Sequence, residues 1–195
     1  IMATSTTTKL MTGHLYNGFV WINSYNYYVL EVDREKCDII ITVTALGHGD
    51  PDIYVSRGDI RPTEKEHQFA AVSDQRTDQL EIQYQDIYPE TSMKGIWTIA
   101  VHGKIAGAYS IIVVYGDEKI FNLVSENPVE YYLKQDEVVY FRYFNAQAQT
   151  FTVRLNVQSG DINVFIKTVT EGEEKKQLPN ENNFVWQLHP VDFEQ

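Results

Sequence analysis

Apolar and polar residues alternate with a period of two along most of the first 115 positions. Ile39, Ile41, Val43 and Ala45 fall on one face of an extended segment. Trp97-Thr98-Ile99-Ala100-Val101 and Tyr109-Ser110-Ile111-Ile112-Val113 repeat the pattern across a short Gly-bounded loop, which is the signature of a hairpin. The alternation predicts strands near 18–22, 27–33, 39–46, 52–57, 79–85, 96–102 and 109–115. Between them lie turn signals at Gly47-His48-Gly49-Asp50-Pro51, Arg61-Pro62, Tyr88-Pro89 and Gly103 to Gly107. No stretch carries a period of 3.6 over three turns. Short strands at this spacing predict an all-β fold built from jelly-roll or Greek-key-like β-sandwiches.

The plan occurs twice. Gly49-Asp50-Pro51-Asp52-Ile53-Tyr54-Val55 matches Gly160-Asp161-Ile162-Asn163-Val164-Phe165-Ile166 at an offset of 111 residues, the size of a domain. The same offset places Trp21 on Tyr132 and Ile22 on Leu133. It also places Tyr28, Leu30 and Val32 on Val139, Phe141 and Tyr143. Phe151, Val153, Leu155 and Val157 alternate as Ile39 to Ala45 do, but at an offset of 112. A slip of one residue inside a strand would turn every side chain to the wrong face, so loops on either side must absorb the difference. The reading is two tandem sandwiches, residues 1–115 and 116–195, joined near Gly116-Asp117-Glu118. The second is incomplete: equivalents of Trp97 to Val101 and Tyr109 to Val113 do not follow its Gly-Asp element, and Phe184-Val185-Trp186 offers one further strand. Apolar residues on both faces of those two segments place them centrally in the sheets of the first copy. The second copy is therefore expected to be completed by further sequence or by a strand from a neighbouring chain. Opening with Ile1 is expected of a processed product or of a piece of a longer chain.

Composition supports strands, with 13 Tyr and 9 Phe among 195 residues and 43% apolar residues. A net charge of −11 disfavours nucleic acid and anionic lipid as partners. No run of eighteen apolar residues occurs, so no segment is expected to insert in a membrane. The single cysteine, Cys37, rules out an internal disulfide and reads as an incidental thiol in a turn. No Asn-x-Ser/Thr sequon occurs.

Candidate chemistry is sparse. His14, His48, His67, His102 and His189 are scattered, and neither a metal-binding His pair nor a nucleophile elbow is present, so the chain is expected not to be an enzyme. Asp50 and Asp52 are the sharpest site candidates. Two carboxylates in a Gly-Pro turn offer the hard oxygen ligands that Ca²⁺ takes; the alternative is that they accept backbone hydrogen bonds and fix the turn. Asp161 is the counterpart of Asp50, with Asn163 as a weaker donor beside it. Tyr25, Tyr27, Tyr28, Tyr131, Tyr132, Tyr140 and Tyr143 divide between core packing and stacking on a carbohydrate.

Ile41 to Leu46 followed by Gly49-Asp50-Pro51-Asp52-Ile53-Tyr54-Val55 resembles the signature of the bacterial pre-peptidase C-terminal domain. So does Gly95 to Gly103 followed by Gly107 to Val113. Ile53 stands for the family's usual Leu, Trp97 for an aromatic Tyr, and Asn163 for the second Asp. The resemblance implies an extracytoplasmic sandwich, extracellular or on the cell surface, appended to secreted enzymes or repeated in large surface proteins. Some of its relatives bind calcium and some bind polymers such as collagen. The expectation is a non-catalytic structural or adhesive module of a larger extracellular repeat protein, forming fibrous or surface assemblies. Its partners would be copies of itself, neighbouring repeats, or an extracellular polysaccharide or protein polymer. The alternative is a calcium-assisted carbohydrate- or polymer-binding appendage of a secreted enzyme.

Overall fold

A computed structural model describes residues 7–87, 92–116, 119–146, 150–169 and 178–188. The chain divides into two compact units, Ile1–Phe144 and Asn145–Gln195. The first contains strands β1 (Thr8–Leu10), β2 (Leu15–Val20), β3 (Tyr25–Val32), β4 (Ile39–Ala45), β5 (Asp50–Arg57), β6 (Phe69–Ala71) and β7 (Thr77–Ile82). After a 3₁₀ turn at Tyr84–Ile87 come β8 (Gly95–Ile105), β9 (Gly107–Tyr115), β10 (Ile120–Leu123) and β11 (Tyr140–Tyr143). The second unit contains β12 (Val164–Ile166) and β13 (Trp186–Leu188). Among the described residues there is no α-helix, and so none long and apolar enough to cross a membrane. The Tyr88-Pro89 turn, the joint residues Asp117 and Glu118, and His189 lie outside the described residues.

Strands β1 to β9 form an all-β sandwich. One sheet has the order β1-β3-β8-β5-β6 and the other β2-β9-β4-β7. The two strands with apolar residues on both faces sit inside the sheets, as the pattern requires: β8 lies between β3 and β5, and β9 between β2 and β4. All seven predicted strands are present. Two short ones, β1 and β6, carried no alternation long enough to read, and β1 pairs with β3 in parallel (Thr8↔Tyr28) where the neighbouring pairs are antiparallel.

Leu30, Val32, Ile53, Val55, Trp97, Ile99 and Val101 of the first sheet face Ile39, Ile41, Val43, Leu80, Ile82, Tyr109, Ile111 and Val113 of the second. Trp97 is fully buried and its indole N–H donates to the Met93 carbonyl (2.9 Å), so the one polar atom of this side chain is satisfied. Tyr28 and Tyr109 join the sheets through the core, their hydroxyls 2.6 Å apart, and Asn26 Nδ2 donates to the Tyr109 oxygen (2.8 Å). Gly18 makes room for this pair: a Cβ there would lie 2.6 Å from the Tyr109 ring. Cys37, in the connection between β3 and β4, is buried against this core.

The outer face of the four-stranded sheet is also buried. Ile40, Ile112 and Val114 point away from the sandwich core and pack with Phe121, Leu15, Val129, Tyr131 and Val139. Residues 119–139 therefore run as a cover across this sheet. Its polar fixings are specific. Thr77 Oγ1 donates to Glu130 (2.5 Å), the Tyr132 backbone N–H to Gln79 Oε1 (3.1 Å), and Lys134 pairs with Glu81. This is why every residue of β4 is buried. It is also why the compact unit ends at Phe144, while the sequence placed the end of the first domain at 115.

The second copy repeats the first in part. β10 pairs with β11 in parallel (Ile120↔Tyr140, Phe121↔Phe141), the same step of twenty residues that joins Thr8 to Tyr28 and Leu10 to Leu30. β12 pairs with β13 antiparallel (Val164↔Leu188, Phe165↔Gln187, Ile166↔Trp186), reproducing Ile53↔Ala71, Tyr54↔Ala70 and Val55↔Phe69 of β5 and β6. The expected strand over Phe151, Val153, Leu155 and Val157 is not formed, and Phe151, Val153 and Leu155 are each about half exposed. The reason is pairing. Their counterpart β4 is held by β7 and β9, and no described residue of the second copy supplies either partner.

A chain ending at Tyr115 leaves Ile40, Ile112 and Val114 uncovered. It is expected to melt at a lower temperature than one ending at Phe144, and to bind a hydrophobic dye that the longer chain does not bind. Equal melting temperatures would show that the cover contributes nothing.

Candidate functional site

On β5, Ile53 and Val55 enter the core, so Asp52, Tyr54 and Ser56 fall on the opposite, outer face of the five-stranded sheet. Strand register carries this face across three strands. Tyr25 of β3, His102 of β8 and Asp52 of β5 form one row, and Tyr27, Ala100 and Tyr54 the next. Ala100, between the two tyrosines, is fully buried. Tyr25 stacks on His102 (4.6 Å between ring centres) and lies beside Tyr27 (6.0 Å), while Tyr54 packs against His67 at 5.0 Å. Arg61 sits over the Tyr27 ring at 5.0 Å, and the Tyr25 hydroxyl accepts from the Glu64 backbone N–H (3.2 Å). The loop between β5 and β6 thus clamps the edge of the ring cluster. Tyr25 and Tyr27 remain half-buried and Tyr54 is buried.

At one end of this face the charges gather. Asp50 and Asp52 do not sit in a turn. Strand β5 begins at Asp50, with a bulge between Asp50 and Pro51. Asp50 lies 3.6 Å from Lys104 Nζ, and Asp52 Oδ2 lies 3.6 Å from His102 Nδ1. Asp52 is 2% exposed, and its Oδ1 has no hydrogen-bond partner. The turn-fixing role expected of it is therefore not what the structure shows. Gly49 is explained by close approach, since a Cβ there would lie 2.9 Å from the Gly107 Cα. Lys104 also bonds Asp74 (2.6 Å), and Ser73 donates to Asp78 Oδ1 at 2.5 Å.

Burial raises the Asp52 carboxyl above its usual range, opposed by His102. Burial pushes Asp78 up to about 6, with the charges of Asp52 and Asp50 acting the same way. Tyr54 is raised to about 12, first by burial and then by the Asp52 charge. No local pattern marks the approach of His102 to Asp52, because fifty residues separate them and only the β5–β8 register brings them together. The expectation of a hairpin at Trp97 to Val113, projected onto its neighbours, was the one available signal.

A Ca²⁺ ion takes six to eight oxygens. Asp50 and Asp52 are engaged by Lys104 and His102, and among the described residues no three His, Cys, Asp or Glu side chains converge closely enough to hold a metal ion. These residues do not fit the ion. Asp161 belongs to the second unit, where it is exposed beside Gly160, whose φ is +80°. Of the other tyrosines, Tyr28 is a core residue and Tyr131 packs under the cover against Phe121 (5.2 Å). Tyr132 lies on the cover, its hydroxyl donating to Gln75, and Tyr140 and Tyr143 belong to β11. His14 lies 3.1 Å from the Thr12 carbonyl, and His48 is exposed.

The raised Asp78 pKa has a definite sign. Between pH 4 and 6 the folded chain holds a proton that the unfolded chain releases, so this group's cost is absent below about pH 4 and complete above pH 6. Asp78→Asn keeps the acceptor for Ser73 and removes the charge. It is expected to stabilise the chain at pH 7 by on the order of 2–3 kcal/mol, a gain that vanishes toward pH 4. Denaturant unfolding of both chains across that range checks it, and a gain independent of pH would remove Asp78 as its source.

No family model matches the chain, and no curated protein matches it. Among solved structures, the chain is similar in fold to the pre-peptidase C-terminal domain of a collagenase from Bacillus anthracis. The two are 9% identical, and the match covers 58% of this chain and 99% of that one with a TM-score of 0.43.

Proposed function

We propose that the chain is a non-catalytic adhesive module of a larger extracellular repeat protein, and that it holds an extended polymer on the outer face of its five-stranded sheet. The observation that supports this reading is the pair of half-buried rings Tyr25 and Tyr27, side by side on β3, with Tyr25 stacked on His102 and Arg61 over Tyr27. Half-buried tyrosines offer apolar area at little cost in side-chain entropy, and their hydroxyls and Arg61 supply hydrogen bonds to a polar ligand. A sugar ring or an extended peptide would stack on the partly exposed Tyr25 and Tyr27 rings. The other sheet offers no equivalent, since residues 119–139 cover it. Neighbouring repeats and further copies are the structural partners in this reading. An appendage of a secreted enzyme would use the same face, and the recurrence of strand pairings in the second copy favours the repeat protein.

The acidic group at the end of the face acts through its own pairing with Lys104 and His102, without a metal. Millimolar calcium and a chelator are accordingly expected to give the same melting curve. A rise with calcium that Asp50→Asn removes would assign the ion to this site.

Cosedimentation with insoluble cellulose, chitin and collagen fibrils tests the face. Tyr25→Ala combined with Tyr27→Ala is expected to lower the bound fraction by about tenfold, equivalent to about 1.4 kcal/mol, while the melting temperature changes little because both side chains lie outside the core. Retention of all three polymers by the double variant, or of none by the parent chain, would sink the proposal.

A further inference from the structure

The sandwich has four edge strands, β1 and β6 in one sheet and β2 and β7 in the other. A bare edge is a template for another strand, and folds guard it with brevity or charge. β1 and β6 are three residues long. β7 carries Asp78 and Glu81, and its Gln79 side chain is bonded to the backbone of Tyr132 in the cover. β2 has neither guard. Its six residues, Leu15-Tyr16-Asn17-Gly18-Phe19-Val20, pair with β9 and, among the described residues, with no other strand. From Leu10 to Leu30 the chain carries no Asp, Glu, Lys or Arg, although 22% of all residues are charged. Tyr16 and Val20 turn to the core and Leu15 to the outer face, so Asn17 and Phe19 share the outer face with Leu15. Phe19 is 49% exposed and packs edge-on against Trp21, itself 68% exposed.

We propose that β2 is the edge at which a second copy of this chain pairs, antiparallel, about a twofold axis at Asn17. Charge argues for this partner. Each copy bears a net charge of −11, so two copies repel least where both are neutral, and β2 with its flanks is such a stretch. Residues directly opposite in an antiparallel pair share a face, so Leu15, Asn17 and Phe19 must meet one another across the axis. Centred on Asn17, the pairing sets Leu15 of one copy against Phe19 of the other and brings the two Asn17 amides side by side. A twofold at Gly18 would instead oppose polar Asn17 to apolar Phe19. The four-stranded sheets of both copies become one continuous sheet, which closes at two copies because the contact is isologous. A single six-residue edge is smaller than the roughly 800 Å² per partner that stable complexes bury, so the dimer is reversible. The inference rests on the part of the proposed function that makes further copies partners. It makes no use of the tyrosine face, so failure of polymer binding and failure of pairing are separate results.

Sedimentation equilibrium of the full chain, diluted from about 1 mM, is expected to show reversible passage from two copies to one. Added salt should tighten the pairing, because it screens the net repulsion and breaks no ion pair between the strands. Asn17→Lys and Asn17→Glu each set like charges face to face and should weaken pairing by about tenfold or more, while their equimolar mixture should regain it. Asn17 is exposed, so both variants are expected to melt near the parent temperature. Amide exchange in the parent needs no variant: protection in residues 15–20 should rise with concentration. A parent chain that stays single at about 1 mM would overturn the proposal, as would concentration-dependent protection confined to other strands. So would folded variants that pair as the parent does, a mixture of them that stays single, or growth beyond two copies.

Discussion

Each sheet of the sandwich hangs on one inner strand. β8 satisfies the inward-facing backbone groups of both β3 and β5, and β9 does the same for β2 and β4. A backbone N–H or C=O buried without a partner costs as much as a lost hydrogen bond. These two strands therefore decide which other segments can be strands at all. Their composition follows. An inner strand of a sandwich touches the core with one face and the outer layer with the other, so β8 is buried from Trp97 through Gly103 and β9 from Tyr109 through Val114.

The two outer faces then diverge. Over the four-stranded sheet, Ile112 and Val114 of β9 and Ile40 of β4 are apolar, and residues 119–139 close over them. Over the five-stranded sheet the corresponding positions are Asp52, Tyr54, Tyr25, Tyr27 and His102, of which Asp52, Tyr54 and His102 are buried and Tyr25 and Tyr27 half-buried against the loop around Arg61 and His67. Hydrophobicity thus closes one outer face with residues 119–139, while the other carries polar and aromatic side chains. The buried carboxylates work against stability, since Asp52 and Asp78 both resist ionisation.

What was legible in the sequence was whatever depends on neighbours along the chain. The alternation of Ile39 to Ala45 and the Gly-bounded hairpin at Trp97 to Val113 placed strands correctly, and their doubly apolar faces placed β8 and β9 inside the sheets. β1 and β6 are three residues each, too short for a period to show, and the parallel pairing of β1 is set by tertiary packing. Asp50 and Asp52 looked like a turn because Gly49 and Pro51 flank them. In the fold Gly49 serves the close approach of Gly107, and Pro51 is accommodated by the bulge. The approach of His102 to Asp52 and the covering of the second sheet by residues 119–139 both join positions far apart in the chain, which no local pattern encodes.

The duplication separates pattern from pairing within one molecule. Ile39, Ile41 and Val43 are buried to within 1% exposure, while Phe151, Val153 and Leu155, with the same alternation, are each about half exposed and form no strand. Side-chain pattern is similar in the two segments; what differs is the presence of flanking strands. The counterpart of β2, residues 126–131, tells the same story, because β2 pairs with β9 alone. Lacking that partner, these residues lie down on the first sandwich, where Val129 and Tyr131 find apolar contacts. The ribbons that do persist, β10–β11 and β12–β13, are those whose pairing in the first copy needs neither β8 nor β9. Binary patterning therefore gives a segment the capacity to be a strand. The supply of hydrogen-bonding edges on both sides converts that capacity into burial.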